Sequence, residues 1–252
     1  MGPETPEPIM TSQRFTCRIP MDLDCPAPMR DPVAYVLDGE YESHYDGEGL
    51  TILDIGANIG SFARWAELRW PGSTIHCYEP NPGTFEFLKR NTEGRTGIHI
   101  NKAALFPGAK PQETYVSRFA GDGEGGLASY AGDTFLDGVM GESFQVDVVD
   151  PATLASADIV KIDIEGGEAE VLAHLDLSKT SLVLLEFQNG RNRERIREVM
   201  PADFEVLRDE ACEWEPILGY KGYRPDLAGD VYGRMFYLRR GTTRLRPSLP
   251  AA

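Results

Sequence analysis

The stretch "LDIGANIGSF", Leu53 to Phe62, ends an apolar run on an acid, Asp54, and then strips away side chains over one turn. Glycine lets backbone approach a ligand closely, and the N–H groups that open a following helix attract a carboxylate or phosphate. The spacing Gly56-Ala57-Asn58-Ile59-Gly60 is not the G-x-G-x-x-G of dinucleotide binders, and no G-K-[ST] follows as in a P-loop. Taken alone, these glycines also fit a tight strand-to-helix turn with no ligand. A second acid sharpens the reading. Glu79, in "YEPNP", stands about 25 residues beyond Asp54, where an acid suits the two hydroxyls of a ribose. A solvent-facing glutamate at a turn is the plainer alternative. Together the two features imply a ligand with an anionic end and a free ribose. A third stretch, "VKIDIEGGE", brings Asp163, Glu165 and Glu168 to one strand end and the opening of a helix. The helix dipole alone favours acids there. Three of them at one edge also suit charge work: stabilising a cation, accepting a proton, or holding a divalent metal.

These residues need elements to position them. "LTILDIG", "TIHCYEP", "GIHINKAAL", "FQVDVV", "DIVKIDIE" and "SLVLLEF" read as strands, with "FEVL" and "RMFYLRR" as the last two. "SFARWAELRW", with Ser61 as its N-cap, "GTFEFLKRNTE", "GGEAEVLAHL" and "RNRERIREVM" read as the helices between them, and "PATLASA" as a short one. A further helix starts near Asp31, with Val33, Val36 and Leu37 on one side. Between "GIHINKAAL" and "FQVDVV" the rhythm lapses into a Gly-rich segment with one short strand, Glu113 to Ser117. Strand and helix alternating at short spacing predict an α/β fold: a mostly parallel sheet with helices on both faces. Ligands bind such sheets at the carboxyl ends of the strands. That rule selects the segments beginning at Asp54, Glu79, Asn101, Asp163 and Glu186. The domain plan is an N-terminal arm over residues 1–30, one domain over 31–240 and a tail over 241–252.

Composition narrows the classes. The 252 residues carry a formal net charge of -15 with no block of Lys or Arg, which argues against a nucleic-acid partner needing a positive face. No apolar run approaches the ~20 residues that span a bilayer, so no membrane partner is expected. The proline-rich start lacks the regions of a signal peptide. Cys17, Cys25, Cys77 and Cys212 form no C-x-x-C pair. Reduced thiols in a soluble cytoplasmic protein are the plain reading, with a Cys17–Cys25 disulfide as the alternative.

"LDIGANIG", "YEPNP" and "VKIDIEGGEAEVL", in that order, resemble the motif set of the FkbM-type methyltransferases, class I enzymes that use S-adenosylmethionine. "GEYE", Gly39 to Glu42, is similar to the short segment before their first strand, and the resemblance runs from about Gly39 to Gly190. The step before the K-I-D strand departs from the family pattern, reading Val149-Asp150-Pro151 with a shortened linker. The Gly-rich segment and the C-terminal third match less well. The resemblance implies a Rossmann-like seven-stranded sheet whose last strand is antiparallel. It implies cofactor contacts at Tyr41, Asp54, Gly56, Ala57, Asn58, Gly60 and Ser61. Glu79, Pro80 and Asn81 would border the ribose, Asn101 and Ala103 the adenine, and Asp163 the sulfonium. Asp54 would help hold the glycine loop.

Methyl transfer needs alignment of an acceptor, and a hydroxyl acceptor must also lose a proton. Candidates for that work are Asp163, Glu165, Glu186 and His44. A divalent metal, if one takes part, would sit among Asp163, Glu186 and Asn189. His76, His99 and His174 suit structural roles. The arginines of "RNRERIRE" suit a solvated helix face, with Arg191 alone near the ligand edge. Trp214, Tyr220, Tyr223 and Tyr232 suit either a lid over the acceptor or packing under a long loop. The expected function is O-methylation of a small-molecule acceptor of sugar, glycoside or polyketide type. Methylation of nitrogen or of a macromolecule competes, as does a non-catalytic cofactor-binding module.

Overall fold

A computed structural model describes residues 11–14, 21–26, 30–108, 110–117, 125–133, 141–213 and 231–243. Its central sheet contains β3 (Thr51–Ile55), β4 (Thr74–Tyr78), β5 (Ile98–Asn101), β10 (Ile159–Ile162), β11 (Leu182–Phe187), β12 (Phe204–Glu213) and β13 (Val231–Arg239). The order across the sheet is β12-β13-β11-β10-β3-β4-β5. Neighbours from β11 to β5 pair in parallel, and β13 runs antiparallel to both β11 and β12. This is the seven-stranded Rossmann-like architecture with one reversed strand near its edge.

The apolar runs explain the layering. All four residues from Leu182 to Leu185 are buried, because successive side chains point to opposite faces and both faces are covered. One face carries Ile52, Ile75, Ile159, Leu184 and Phe236 against α1 (Arg30–Leu37), α2 (Ser61–Arg69) and α3 (Pro82–Asn91). The other carries Leu53, Ile55, Val160, Ile162, Leu185 and Met235 against α4 (Glu168–His174) and α5 (Gly190–Val199). Each such buried side chain stabilises by ~1.5–3 kcal/mol. The amino-terminal strands β1 (Thr11–Arg14) and β2 (Asp22–Cys25) pair with each other. Leu23 and Cys25 of β2 enter the first core, and Asp24 exchanges backbone hydrogen bonds of 2.7 and 3.0 Å with the Asn91 side chain of α3. Cys25, Cys77 and Cys212 are free thiols.

Four expectations need correction. "FQVDVV" does not join the main sheet. It belongs to β9 (Glu142–Val149), which with β6 (Ala104–Leu105), β7 (Gln112–Ser117) and β8 (Gly125–Leu127) forms a separate four-stranded sheet of order β6-β9-β7-β8. Its residues alternate, so only one side, with Phe144 and Val146, packs against Tyr115 and Tyr130; a strand inside the main sheet must be apolar on both sides. "GIHINKAAL" therefore divides, β5 staying in the large sheet and β6 passing to the small one. "PATLASA" forms only a single 3-10 turn, Pro151–Thr153, capped by Asp150. "FEVL" continues to Glu213 as the long edge strand β12. Trp214, Tyr220 and Tyr223 lie outside the described residues.

Candidate active site

Gly56 follows β3 with φ of 78°, and a Cβ there would stand 1.7 Å from the carbonyl oxygen of Asp163. The turn after β3 thus lies against the end of β10, and only glycine allows it. The N–H groups of Gly56 and Ala57 both donate to the Tyr78 carbonyl, at 3.0 and 2.9 Å. Asn58, also left-handed, accepts from the Ile59 N–H at 2.7 Å. Ser61 is the first residue of α2 rather than its cap. Gly60 takes the cap position in left-handed backbone (φ 89°), and no side chain caps the helix. The space beside Gly60 is filled by Leu88, so a side chain before the helix would collide with α3.

Glu79 is buried at the tip of β4, and its carboxylate accepts the Asn58 N–H at 2.9 Å and the Asn81 N–H at 2.8 Å. Burial pushes its carboxyl up to about 7, against the opposing pull of those two N–H groups. Asn81 caps α3 by accepting from Gly83 and Thr84, and its amide donates to Ser117 of the small sheet at 3.4 Å. Pro80 is half-buried beside it. On the next strand the Asn101 amide donates to the Cys77 carbonyl at 3.1 Å, and Ala103 is buried just beyond. One edge of the site is therefore a continuous backbone-bonded frame from Gly56 through Glu79 to Asn101.

Asp54 does not face the ligand edge. It is fully buried and lies 3.3 Å from the ammonium of Lys161, which donates to the Gly56 carbonyl at 2.6 Å and lies 3.6 Å from Asp163. Burial would depress the Lys161 ammonium, but Asp54, Asp163 and Glu186 together hold it above the ordinary lysine range. Sequence reasoning passed over Lys161. Its signal was present: a lone cation inside the apolar strand "DIVKIDIE" must find buried counter-charges. The Asp163 carboxylate also accepts from the hydroxyl of Tyr41 at 3.3 Å, and the Tyr41 ring packs against Phe62 and Phe236.

A second group of charges lies across β10. Glu186 ends β11, and Arg234 of β13 reaches it at 3.2 Å while also pairing with Glu40. Arg208 of β12 donates to the Glu40 backbone carbonyl at 2.8 Å. Burial, then Asp163 and Glu40, push the Glu186 carboxyl up to about 8, with Arg234 and Lys161 opposing. Its side chain keeps 24% exposure, so solvent still reaches the carboxyl group. Tyr232, two residues before Arg234, is exposed close by, and its phenol is raised by burial and by nearby charges that include Glu186. Glu40 lies in the "GEYE" segment with nothing to single it out there, and Arg234 carried no distinctive sequence signal.

The remaining candidates fall elsewhere. His44 is exposed in left-handed backbone, with its N–H donating to Glu42 at 3.1 Å. Glu165 occupies a left-handed turn position (φ 60°). Glu168 turns inward, accepting from Gly166 at 2.9 Å and Ile164 at 3.3 Å; it closes the turn that follows Asp163. Asn189 caps α5 by accepting the Asn192 N–H at 2.8 Å. The suggested metal set therefore does not fit a metal ion: Asn189 is committed to a cap, and Asp163 and Glu186 face Lys161 and Arg234. Among the described residues no group of three His, Cys, Asp or Glu could hold one. The arginines of α5 are less solvated than expected, since Arg193 and Arg197 clamp Asp209 of β12 and Arg195 pairs with Glu170. His76 and His99 stack on neighbouring strands, 5.2 Å between ring centres.

A family model described as the methyltransferase FkbM domain matches residues 54–225. The chain belongs to that family. The match to the FkbM domain takes in the glycine loop, Glu79, Lys161, Asp163 and Glu186, whereas Glu40, Tyr41, Tyr232 and Arg234 lie outside it. The 31-O-demethyl-FK506 methyltransferase FkbM of Streptomyces tacrolimicus is 29% identical over 156 residues, 51% of this chain and 60% of that protein. The hexuronic acid methyltransferase AglP of Haloferax volcanii is 26% identical over 167 residues, 65% of this chain and 63% of that protein. The matched part thus spans about three fifths of each relative's length. A solved Thermoplasma acidophilum structure is 13% identical, covering 84% of this chain and 90% of that one with a TM-score of 0.48. No helix among the described residues is long and apolar enough to cross a membrane.

Proposed function

We propose that this FkbM-family chain is an S-adenosylmethionine-dependent O-methyltransferase acting on a hydroxyl of a small metabolite. The observation that carries the cofactor reading is the frame of Gly56 and Glu79. The glycine turn packs directly against the end of β10, α2 opens after it with no side-chain cap on its N–H groups, and a buried carboxylate fixed by two N–H groups stands one strand away. The uncapped opening of α2 suits the carboxylate end of the cofactor, Glu79 the ribose hydroxyls, and Asn101 with Ala103 the adenine. Asp163, steadied by Tyr41 and Lys161, faces the positive end.

When bound, S-adenosylmethionine supplies a methyl group on a sulfonium leaving group. The protein's part is then to align the acceptor and take its proton. Glu186 is the base of this proposal. Its raised carboxyl holds or releases a proton near neutral pH, which is where proton transfer is most effective. Tyr41 and Asp163 orient the region beside it. One relative is named for an O-demethyl compound and another for hexuronic acid, which supports oxygen on a sugar-like or related metabolite. The proposal includes a cytoplasmic location, supported by the free thiols of Cys25, Cys77 and Cys212.

The test is calorimetric titration with S-adenosylmethionine, with NAD as control and Glu79→Ala alongside. Micromolar binding that the variant loses by a hundredfold or so supports the reading. Equal binding by both proteins removes Glu79 from the site, and no binding by either removes the cofactor. Activity is expected to persist in excess chelator.

A further inference from the structure

Lys161 sits in the middle of β10, the strand beside β3, with its side chain 3% exposed. A buried ammonium is strongly unfavourable unless its charge is matched and its donors are used. It has three N–H donors, and three oxygens surround it: Gly56 O at 2.6 Å, Asp54 Oδ1 at 3.3 Å and Asp163 Oδ2 at 3.6 Å. They come from the loop after β3, from β3 itself and from the end of β10. Asp54 alone would balance the charge. The shortest contact goes instead to a neutral carbonyl, that of Gly56. The same peptide plane is fastened at its other end, where the Ala57 N–H donates to Tyr78 O at 2.9 Å. A carbonyl held on one side and an N–H held on the other leave that plane no rotation.

We infer that Lys161 is a positioning residue for the cofactor seat: one ammonium fixes the Gly56–Ala57 peptide and the Asp163 carboxylate relative to each other. The loop that takes the anionic end of the ligand and the acid that faces its positive end are then set as one unit. Asp54 is the counter-charge that keeps Lys161 in place. This rests on the reading of the loop as an S-adenosylmethionine site.

Lys161→Met alone would leave Asp54 buried and unmatched, and it is expected to fold poorly. The informative pair is Asp54→Asn against Asp54→Asn/Lys161→Met, in which both buried charges are gone and an unbranched apolar chain fills the lysine slot. Binding of S-adenosylmethionine and of S-adenosylhomocysteine is measured by calorimetry, Tm by scanning calorimetry, and loop order by hydrogen exchange. The expected result is a Tm within a few degrees between the two variants and binding of both ligands at least about tenfold weaker in the double variant. Faster exchange should be confined to peptides spanning residues 55–60, which a merely structural lysine would not produce. If the double variant binds as tightly as Asp54→Asn, Lys161 only neutralises Asp54 and the inference is overturned. If the wild-type protein binds neither ligand, the cofactor reading fails first and this inference falls with it.

Discussion

The two sides of the cleft are built in different ways. The side from Gly56 to Asn101 is held by backbone: the N–H groups of Gly56, Ala57, Asn58 and Asn81 all end on Tyr78 O or on Glu79. The side around Glu186 is held by side chains that reach in from distant segments. Arg234 joins Glu186 to Glu40, 194 residues away in the chain, and Arg208 fastens the Glu40 backbone. A backbone frame is rigid and tolerates little change. An ion-paired cluster can alter its charge with pH and can be rebuilt residue by residue. Under the proposed function, the rigid side holds the cofactor and the ion-paired side the acceptor. The FkbM-domain match includes the first side together with Glu186 and Arg208 of the second, and leaves out Glu40 and Arg234.

The harshest test of the rigid side is Gly56→Ala. The new methyl would stand 1.7 Å from Asp163 O, backbone that cannot yield, and φ of 78° adds strain. The expected loss is about 4 kcal/mol or more, a fall in Tm of ~10 °C, with cofactor binding abolished. A well-folded, binding Gly56→Ala protein would show that the frame is softer than its hydrogen bonds imply.

On the other side, Glu186→Gln should lower turnover by about 100- to 10,000-fold while cofactor affinity changes by less than tenfold or so. The wild-type rate should climb with pH, pass its half-maximum near 8 and level off above that, because the base works only when ionised and burial holds its proton up to about 8. The linkage has a definite sign. The carboxyl binds its proton more tightly when folded than its ordinary value of about 4.3 allows when unfolded. Its contribution to stability is therefore fully present below about 4.3 and is lost as pH rises through about 8. Glu186→Gln should gain stability relative to wild type over that window, as read by chemical denaturation at pH 5 and pH 8.5. A smaller effect is expected of Arg234→Met. Losing the cation that opposes the rise should move the rate limb up by about one pH unit and cost roughly tenfold in rate at pH 7.5. A limb that stays in place would mean Arg234 only braces the sheet.

The same contrast governs how much could be read from residues alone. The glycine loop, Glu79 and Asp163 stand in short strand–turn–helix units, Thr51–Arg69, Thr74–Asn91 and Ile159–His174, where apolar periodicity and turn glycines act locally. The doubly covered sheet followed from runs such as the unbroken apolar Leu182–Leu185 of β11. Lys161 was visible as a cation in such a run, and the missing step was to ask what matched it. Glu40 and Arg234 meet only through the tertiary fold; "GEYE" marks the stretch around Glu40 but not its partner, and Arg234 has no neighbour in sequence that marks it. The placement of β9 was obscured because alternation such as Phe144, Val146 and Val148 marks a one-faced strand without saying which sheet receives it. Ser61 has the right chemistry for a cap, but the close approach of α3 at Gly60 decided the position.

The small sheet touches both sides, through Ser117 to Asn81 and through Tyr130 to the turn before α4. Its contact at Gly167 permits the finest test. A Cβ there would lie 2.3 Å from the Tyr130 ring, in backbone with φ of 87°. Unlike the backbone carbonyl facing Gly56, the Tyr130 ring, though buried, is a side chain that can shift within its small cluster. Gly167→Ala should therefore cost only ~1–3 kcal/mol, and Tyr130→Ala in the same background should return the overpacking part while leaving the left-handed strain. Additive losses from the two substitutions would mean that the ring and the turn are not in contact. A coupling of ~1 kcal/mol in the denaturation cycle would establish that the small sheet leans on the turn carrying Asp163. Steady-state kinetics on the same proteins then separate the two sides. If the sheet walls the acceptor, its KM moves by a few-fold while cofactor KM holds; a shift in cofactor KM alone would assign the sheet to the Glu79 side.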